Sequence, residues 1–121
     1  MQKASTLVIG ASENPERYSN KAVRLLADYQ HHVLALGIKS GKIGDVEILK
    51  ELSADVSIDT VTLYVNPSLQ EQYQSLILGL KPRRVIFNPG TENINFERLL
   101  SENGIEPIEA CTLVMLRTRQ Y

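Results

Sequence analysis

Two short runs, Thr6-Leu7-Val8-Ile9-Gly10 and Val33-Leu34-Ala35-Leu36-Gly37, are almost wholly apolar, and each stops at a glycine. A strand with one face in water would show a polar residue at every second place. A run without them is buried on both faces, as the central strands of a parallel sheet are. This constrains the rest of the chain, because parallel neighbours need crossover connections laid over the faces of the sheet. Val61-Thr62-Leu63-Tyr64-Val65 and Arg84-Val85-Ile86-Phe87 supply two further strands of this kind. Val46-Glu47-Ile48 and Pro107-Ile108-Glu109-Ala110 are shorter and more polar, as edge strands are.

Between these runs the apolar residues recur at three- and four-residue spacing, the period of a helix with one face on a core. Ala22, Val23, Leu25, Leu26 and Tyr29 mark a first helix, and Ser68 to Leu80 a second, closed by Lys81-Pro82. Phe96, Leu99 and Leu100 mark a third, ended by Asn103-Gly104. With right-handed crossovers this order predicts an α/β fold: a single Rossmann-like, doubly wound, mainly parallel sheet with helices on both faces. The 121 residues give room for one such domain, spanning 1–121.

Thirteen Lys+Arg against fourteen Asp+Glu leave a net charge of -1 with no basic stripe, so nucleic acid is not an expected partner. The longest early apolar stretch, Leu7 to Ala11, is too short for a signal or membrane segment, and a single cysteine, Cys111, forms no internal bridge. A cytoplasmic protein without membrane contact is expected.

In doubly wound sheets the ligand lies outside the carboxyl ends of the strands, where the strand order reverses, so the loops after the strands are the places to search. Three of them carry the same pair: Asn14-Pro15, Asn66-Pro67 and Asn88-Pro89-Gly90. A residue before proline is held extended, with its amide side chain expected to be free to bond a ligand. Asn and Pro are also ordinary turn formers, which explains any one pair as well but three together less well. In the first loop, Gly10 lets a ligand approach the backbone and the following helix offers free N–H groups to phosphate. Ala11 shares that turn, Ser12 and Ser19 add hydroxyls, Arg17 a charge and Asn20 an amide, although Ser19 would serve equally as a helix cap. Neither G-x-G-x-x-G nor the P-loop pattern is present. After the second strand, Gly37-Ile38-Lys39-Ser40-Gly41-Lys42 holds no carboxylate where NAD-binding folds place one. Lys39 and Lys42 there suit a phosphorylated ribose, with a 2'-phosphate as in NADP or a 3'-phosphate as in coenzyme A; solvated loop lysines would look the same.

Gly10-Ala11-Ser12 with Pro15, Arg17 and Ser19, then Tyr64-Val65-Asn66-Pro67, Asn88-Pro89-Gly90-Thr91-Glu92-Asn93 and Glu109-Ala110-Cys111-Thr112, resemble the small stand-alone CoA-binding domain proteins. Those are similar to the N-terminal CoA-binding domain of the succinyl-CoA synthetase alpha subunit. The resemblance implies coenzyme A or an acyl-CoA held across the strand ends, with the loop from Gly10 to Asn20 near the diphosphate. It also implies Asn66, Pro67, Asn88, Pro89, Gly90 and Glu92 around the ligand. Two departures stand out: Tyr18 replaces a common proline, and Leu36-Gly37-Ile38-Lys39 replaces a Val-Asn-Pro-like sequence.

His31-His32 is expected at the amino end of the sheet, opposite this crevice, in a surface or packing role. Cys111 is placed to open a short helix, where a thiol pKa can fall, but a small buried apolar cysteine is the simpler expectation. No metal-ligand spacing or nucleophile–base pair is legible. The expected function is therefore coenzyme A or acyl-CoA binding as carrier, sensor or accessory protein, without catalysis of its own. The alternatives are a small NADP-binding oxidoreductase module and an interaction subunit with an empty crevice.

Overall fold

The computed structural model describes residues 5–53 and 55–121. In chain order the elements are β1 (Ser5–Ile9), α1 (Tyr18–Asp28), β2 (His32–Leu36), β3 (Gly41–Ile43), β4 (Val46–Leu49) and β5 (Ile58–Leu63). Then follow α2 (Pro67–Leu80), β6 (Arg84–Phe87), α3 (Ile94–Glu102), β7 (Glu106–Glu109) and α4 (Thr112–Arg117). The strands form one sheet in the order β3-β4-β2-β1-β5-β6-β7, parallel throughout except for the β3–β4 pair.

The apolar runs behave as their composition demands. All of β1 and β6 is buried, and alternate residues face opposite layers. Leu7 and Ile9 of β1, with Val61, Leu63, Val85 and Phe87, pack against Ile77 of α2 and Phe96 and Leu100 of α3. Val8, between them, packs on the other face with Val23 and Leu26 of α1 and Leu116 of α4. The doubly wound expectation holds, with α1 and α4 on one face and α2 and α3 on the other.

Two elements depart from the sequence reading. Gly41-Lys42-Ile43 forms a strand that turns back through Gly44, at φ +60°, to pair antiparallel with β4. Val46 to Ile48 is therefore covered by β3 and is not the edge. At the other end β7 is the edge, carrying exposed Glu106 and Glu109 and a proline at Pro107 that could not sit in a central strand. The strand order reverses at β1: the chain runs to β2 on one side, and β5 enters on the other. No helix among the described residues is long and apolar enough to cross a membrane.

Candidate functional site

At the carboxyl edge the ladder continues for one residue beyond the strands and draws the loops together. Gly10 and Ala11 donate their backbone N–H groups to the Leu36 carbonyl (2.9 and 3.0 Å), and Tyr64 donates to the Ile9 carbonyl (2.9 Å). Gly10 sits at φ +97°, and a Cβ there would lie 3.0 Å from both the Tyr64 carbonyl oxygen and Val65 Cγ1. A Cβ on Gly37 would come within 2.5 Å of the Ala11 carbonyl oxygen. Both glycines are thus required by the approach of one loop to another, before any ligand is considered. Gly10, Ala11, Gly37, Asn66 and Asn88 stand along one edge, and the expected crevice would lie where the loops after β1 and β5 meet.

Helix α1 opens on this crevice with Arg17 as its N-cap residue, and no side chain accepts from its first N–H groups. Ser19 is buried inside the first turn and does not cap. The contrast with its neighbours is instructive. Asn66 Oδ1 accepts from Leu69 N at the start of α2 (3.1 Å), and Asn93 Oδ1 accepts from Phe96 N at the start of α3 (3.2 Å). The N-terminus of α1 alone among these three keeps its partial positive charge without a capping side chain, as an anion site requires. Its loop is held by its own side chains: Ser12 Oγ accepts from Asn14 N, Asn14 Oδ1 accepts from Glu16 N, and Asn20 Nδ2 donates to the Ser12 carbonyl (2.9 Å). Asn20 Oδ1 takes Arg24 Nε in turn (2.9 Å), leaving Asn20 buried. Pro15 and Arg17 are exposed.

The Asn-Pro pairs meet at one edge, with the Asn88 amide committed at both ends, whereas exposed Asn14 and Asn66 commit only Oδ1. Asn14 and Asn66 serve the turn and the cap just described. Asn88 is 1% exposed; its Nδ2 donates to Thr62 Oγ1 (2.7 Å) and the Leu63 carbonyl (2.8 Å), while Oδ1 accepts from Thr112 N (2.8 Å). Pro67, Pro89 and Gly90 are exposed, and Glu92 accepts from Gly90 N (2.9 Å). One residue that the sequence reading missed joins this edge. Gln70 of α2 is fully buried and bridges the loops after β5 and β6. A glutamine in an exposed helical stretch gives no signal of that role.

Charge divides the edge. Lys39 is exposed just beyond β2, as expected. Lys42 is not in that loop: it lies on β3, paired across the strands with Glu47. Since Gly41 pairs with Ile48, which is level with Ala35, Lys42 sits below the carboxyl edge. The loop also does not lack a carboxylate in space, because Glu13 arrives from the β1 loop, packs over Gly41 and accepts from Lys42 N (3.0 Å). At the β6–β7 end, burial and the neighbouring Glu109 and Glu92 carboxylates push the Glu97 carboxyl up, although its bond from Asn93 N opposes this. Carboxylates thus gather at that end, while Glu13 and Glu16 stand in the loop before α1.

The histidines lie at the opposite edge. His32 Nδ1 pairs with Ser5 Oγ across β1 and β2, and the His31 ring meets Tyr121 edge-on at 4.9 Å. Cavities of about 450 and 430 Å³ open at this amino edge, lined by residues such as Tyr29, His31 and Tyr121, or Ser5, His32 and Val56. They contain none of the expected site residues and no helix N-terminus, so the crevice at the carboxyl edge is the better candidate. Asp59 and Arg83 form an exposed ion pair nearby (3.0 Å), which holds the Asp59 carboxyl below the usual carboxylate range. A depressed carboxylate stabilises the fold above its unfolded pKa and loses that contribution as pH falls through the folded one. The small difference in melting temperature expected between wild type and Arg83→Ala at pH 7 should therefore close below about pH 4; a pH series of thermal melts measures it, and a gap that widens in acid would contradict the pairing.

Cys111 is half-buried as the N-cap of α4, whose first N–H is taken by Asn88. Beside it the Tyr64 hydroxyl is enclosed without a hydrogen-bond partner, and burial pushes its pKa up to about 12 against the pull of the nearby Thr112 and Thr62 hydroxyls. Among the described residues no cluster of His, Cys, Asp and Glu is arranged to hold a metal.

A family model described as a CoA binding domain matches residues 4–117. The chain is similar to an uncharacterized protein of known crystal structure, with 44% identity, a TM-score of 0.93 and 100% of both chains covered. It also shares its fold with cell-free ID.343 from Thermus thermophilus at 23% identity and a TM-score of 0.81, covering 98% of this chain and 91% of that one. A hypothetical protein from Pyrococcus horikoshii OT3 matches at 22% identity and a TM-score of 0.85, over 96% of this chain and 82% of that one. No curated protein matches.

Proposed function

The chain belongs to the CoA-binding domain family, and on that premise we propose that it binds coenzyme A or an acyl-CoA across the carboxyl edge of its sheet. The observation that carries this reading is the uncapped N-terminus of α1 beside Gly10, at the point where the strand order reverses. The diphosphate would be held by the first N–H groups of α1, with the Ser12 hydroxyl and the Arg17 guanidinium at hand. The adenosine would lie toward β2, as in other doubly wound nucleotide-binding sheets, and the uncharged pantetheine arm toward β5 and β6. Ground-state binding needs only these groups. Catalysis would need groups that bind a transition state better than the substrate, and among the described residues this edge offers no nucleophile paired with a base, which favours the role of a carrier, sensor or accessory protein.

Lys39 is the proposed partner of the 3'-phosphate, since Lys42 faces Glu47 and stands back from the edge. Coenzyme A should then bind about tenfold more tightly than dephospho-CoA, equivalent to roughly 1.4 kcal/mol. Rising salt should shrink that gap. Calorimetric titration of wild type, Lys39→Ala and Lys42→Ala with both ligands tests it: Lys39→Ala should abolish the preference and Lys42→Ala should keep most of it. Equal affinity of the wild type for the two ligands would remove the 3'-phosphate contact. NADP binding more tightly than coenzyme A would replace the whole reading by the oxidoreductase one.

A further inference from the structure

We propose that Gln70 is the positioning residue for the pantetheine half of the ligand, acting through the two loops that flank this arm; the inference rests on the coenzyme A reading above. Gln70 is 0% exposed, and each of its amide groups is committed. Nε2 donates to the Val65 carbonyl (3.0 Å) in the loop after β5 and to the Thr91 carbonyl (2.7 Å) in the loop after β6. Oε1 accepts from Asn93 Nδ2 (3.0 Å), and the Oδ1 of that same Asn93 caps α3. One side chain therefore sets the spacing of two otherwise separate loops and the start of a helix.

Gln70 has no exposed surface with which to touch a ligand, so any effect on binding passes through what it holds. Those loops carry Asn66-Pro67 and Asn88-Pro89-Gly90, with Pro67, Pro89 and Gly90 exposed. Asn88 ties the ends of the strands beneath them, whereas Gln70 ties the segments beyond the strands, where a ligand lies. The loops after β1 and β2, on the adenosine side, have no bond to Gln70. Its influence is thus confined to one half of the molecule bound.

This asymmetry is what an experiment can read. Coenzyme A and adenosine 3',5'-bisphosphate, which lacks the pantetheine arm, are titrated against wild type, Gln70→Leu and Asn93→Ser. Gln70→Leu keeps the bulk but loses both donors and the acceptor; it should weaken coenzyme A at least tenfold and the bisphosphate less than twofold. Asn93→Ser keeps a capping oxygen for α3 but not the donor to Gln70, and should weaken coenzyme A about threefold with the same selectivity. It decides the matter should Gln70→Leu fail to fold. Equal losses for both ligands, or an unchanged affinity for coenzyme A, would show Gln70 to be structural only and overturn the proposal. A wild type that binds neither ligand would overturn the coenzyme A reading itself.

Discussion

Gly10→Val should abolish coenzyme A binding, by a hundredfold or more, and should also lower the melting temperature. The sequence alone supports the first half, since a larger side chain at the end of β1 blocks the approach of a diphosphate. The structure adds the second. At φ +97° a β-branched residue is strained by about 1–3 kcal/mol, and its Cβ would press on the Tyr64 carbonyl and Val65 Cγ1 at 3.0 Å. The loop after β5 must move for the valine to fit, and with it one wall of the crevice. Gly104→Ala is the control: Gly104, at φ +76°, has no atom within 4 Å of a Cβ and lies between α3 and β7, at the far edge. It should cost stability through the backbone alone and leave affinity unchanged. Titration and thermal melts of both variants decide it, and full affinity in a folded Gly10→Val protein would move the ligand elsewhere.

The second large effect is expected at Asn88. Alanine there removes the two donors to Thr62 Oγ1 and the Leu63 carbonyl and the acceptor for Thr112 N, all inside the protein. A buried polar group left without its partner costs about 1–3 kcal/mol, so with two or more groups orphaned the loss should reach roughly 3–5 kcal/mol. Urea unfolding should show this as a lower midpoint with little change in slope. Asn88→Asp keeps an oxygen for Thr112 N but faces the Leu63 carbonyl with a second one, and should be no better. A loss under about 1 kcal/mol would mean that water replaces these bonds and that Asn88 does not hold α4 to the sheet.

Asn88 also shows where sequence reasoning stopped. Three Asn-Pro pairs at strand ends were legible as a shared edge, because strand ends follow from the apolar runs. Their chemistry was not, because an asparagine that bonds a ligand and one that bonds its own fold look identical in one dimension. The same holds for Lys42. The hairpin that carries it depends on pairing between Gly41-Lys42-Ile43 and β4, and three residues are too few for any periodicity to announce.

Glu13 makes the point through distance. The segment from Leu36 to Lys42 contains no acid, yet a carboxylate from the β1 loop reaches Lys42 N, 29 residues away in sequence. Gln70 is the complementary case, a polar residue in a helix whose burial is imposed by two loops closing over it.

By itself the sequence determined which segments are buried strands, which are amphipathic helices, and hence that the sheet is parallel and doubly wound. These follow from local hydrophobic period, which a chain carries whether folded or not. It determined as well that Gly10 ends β1 and that a helix begins after it. Only the tertiary structure decided how the loops meet and which polar groups are already satisfied, which leaves α1 as the uncapped helix at the crevice. Those depend on hydrogen bonds between residues far apart in the chain, and such bonds have no signature until the sheet has brought their partners together.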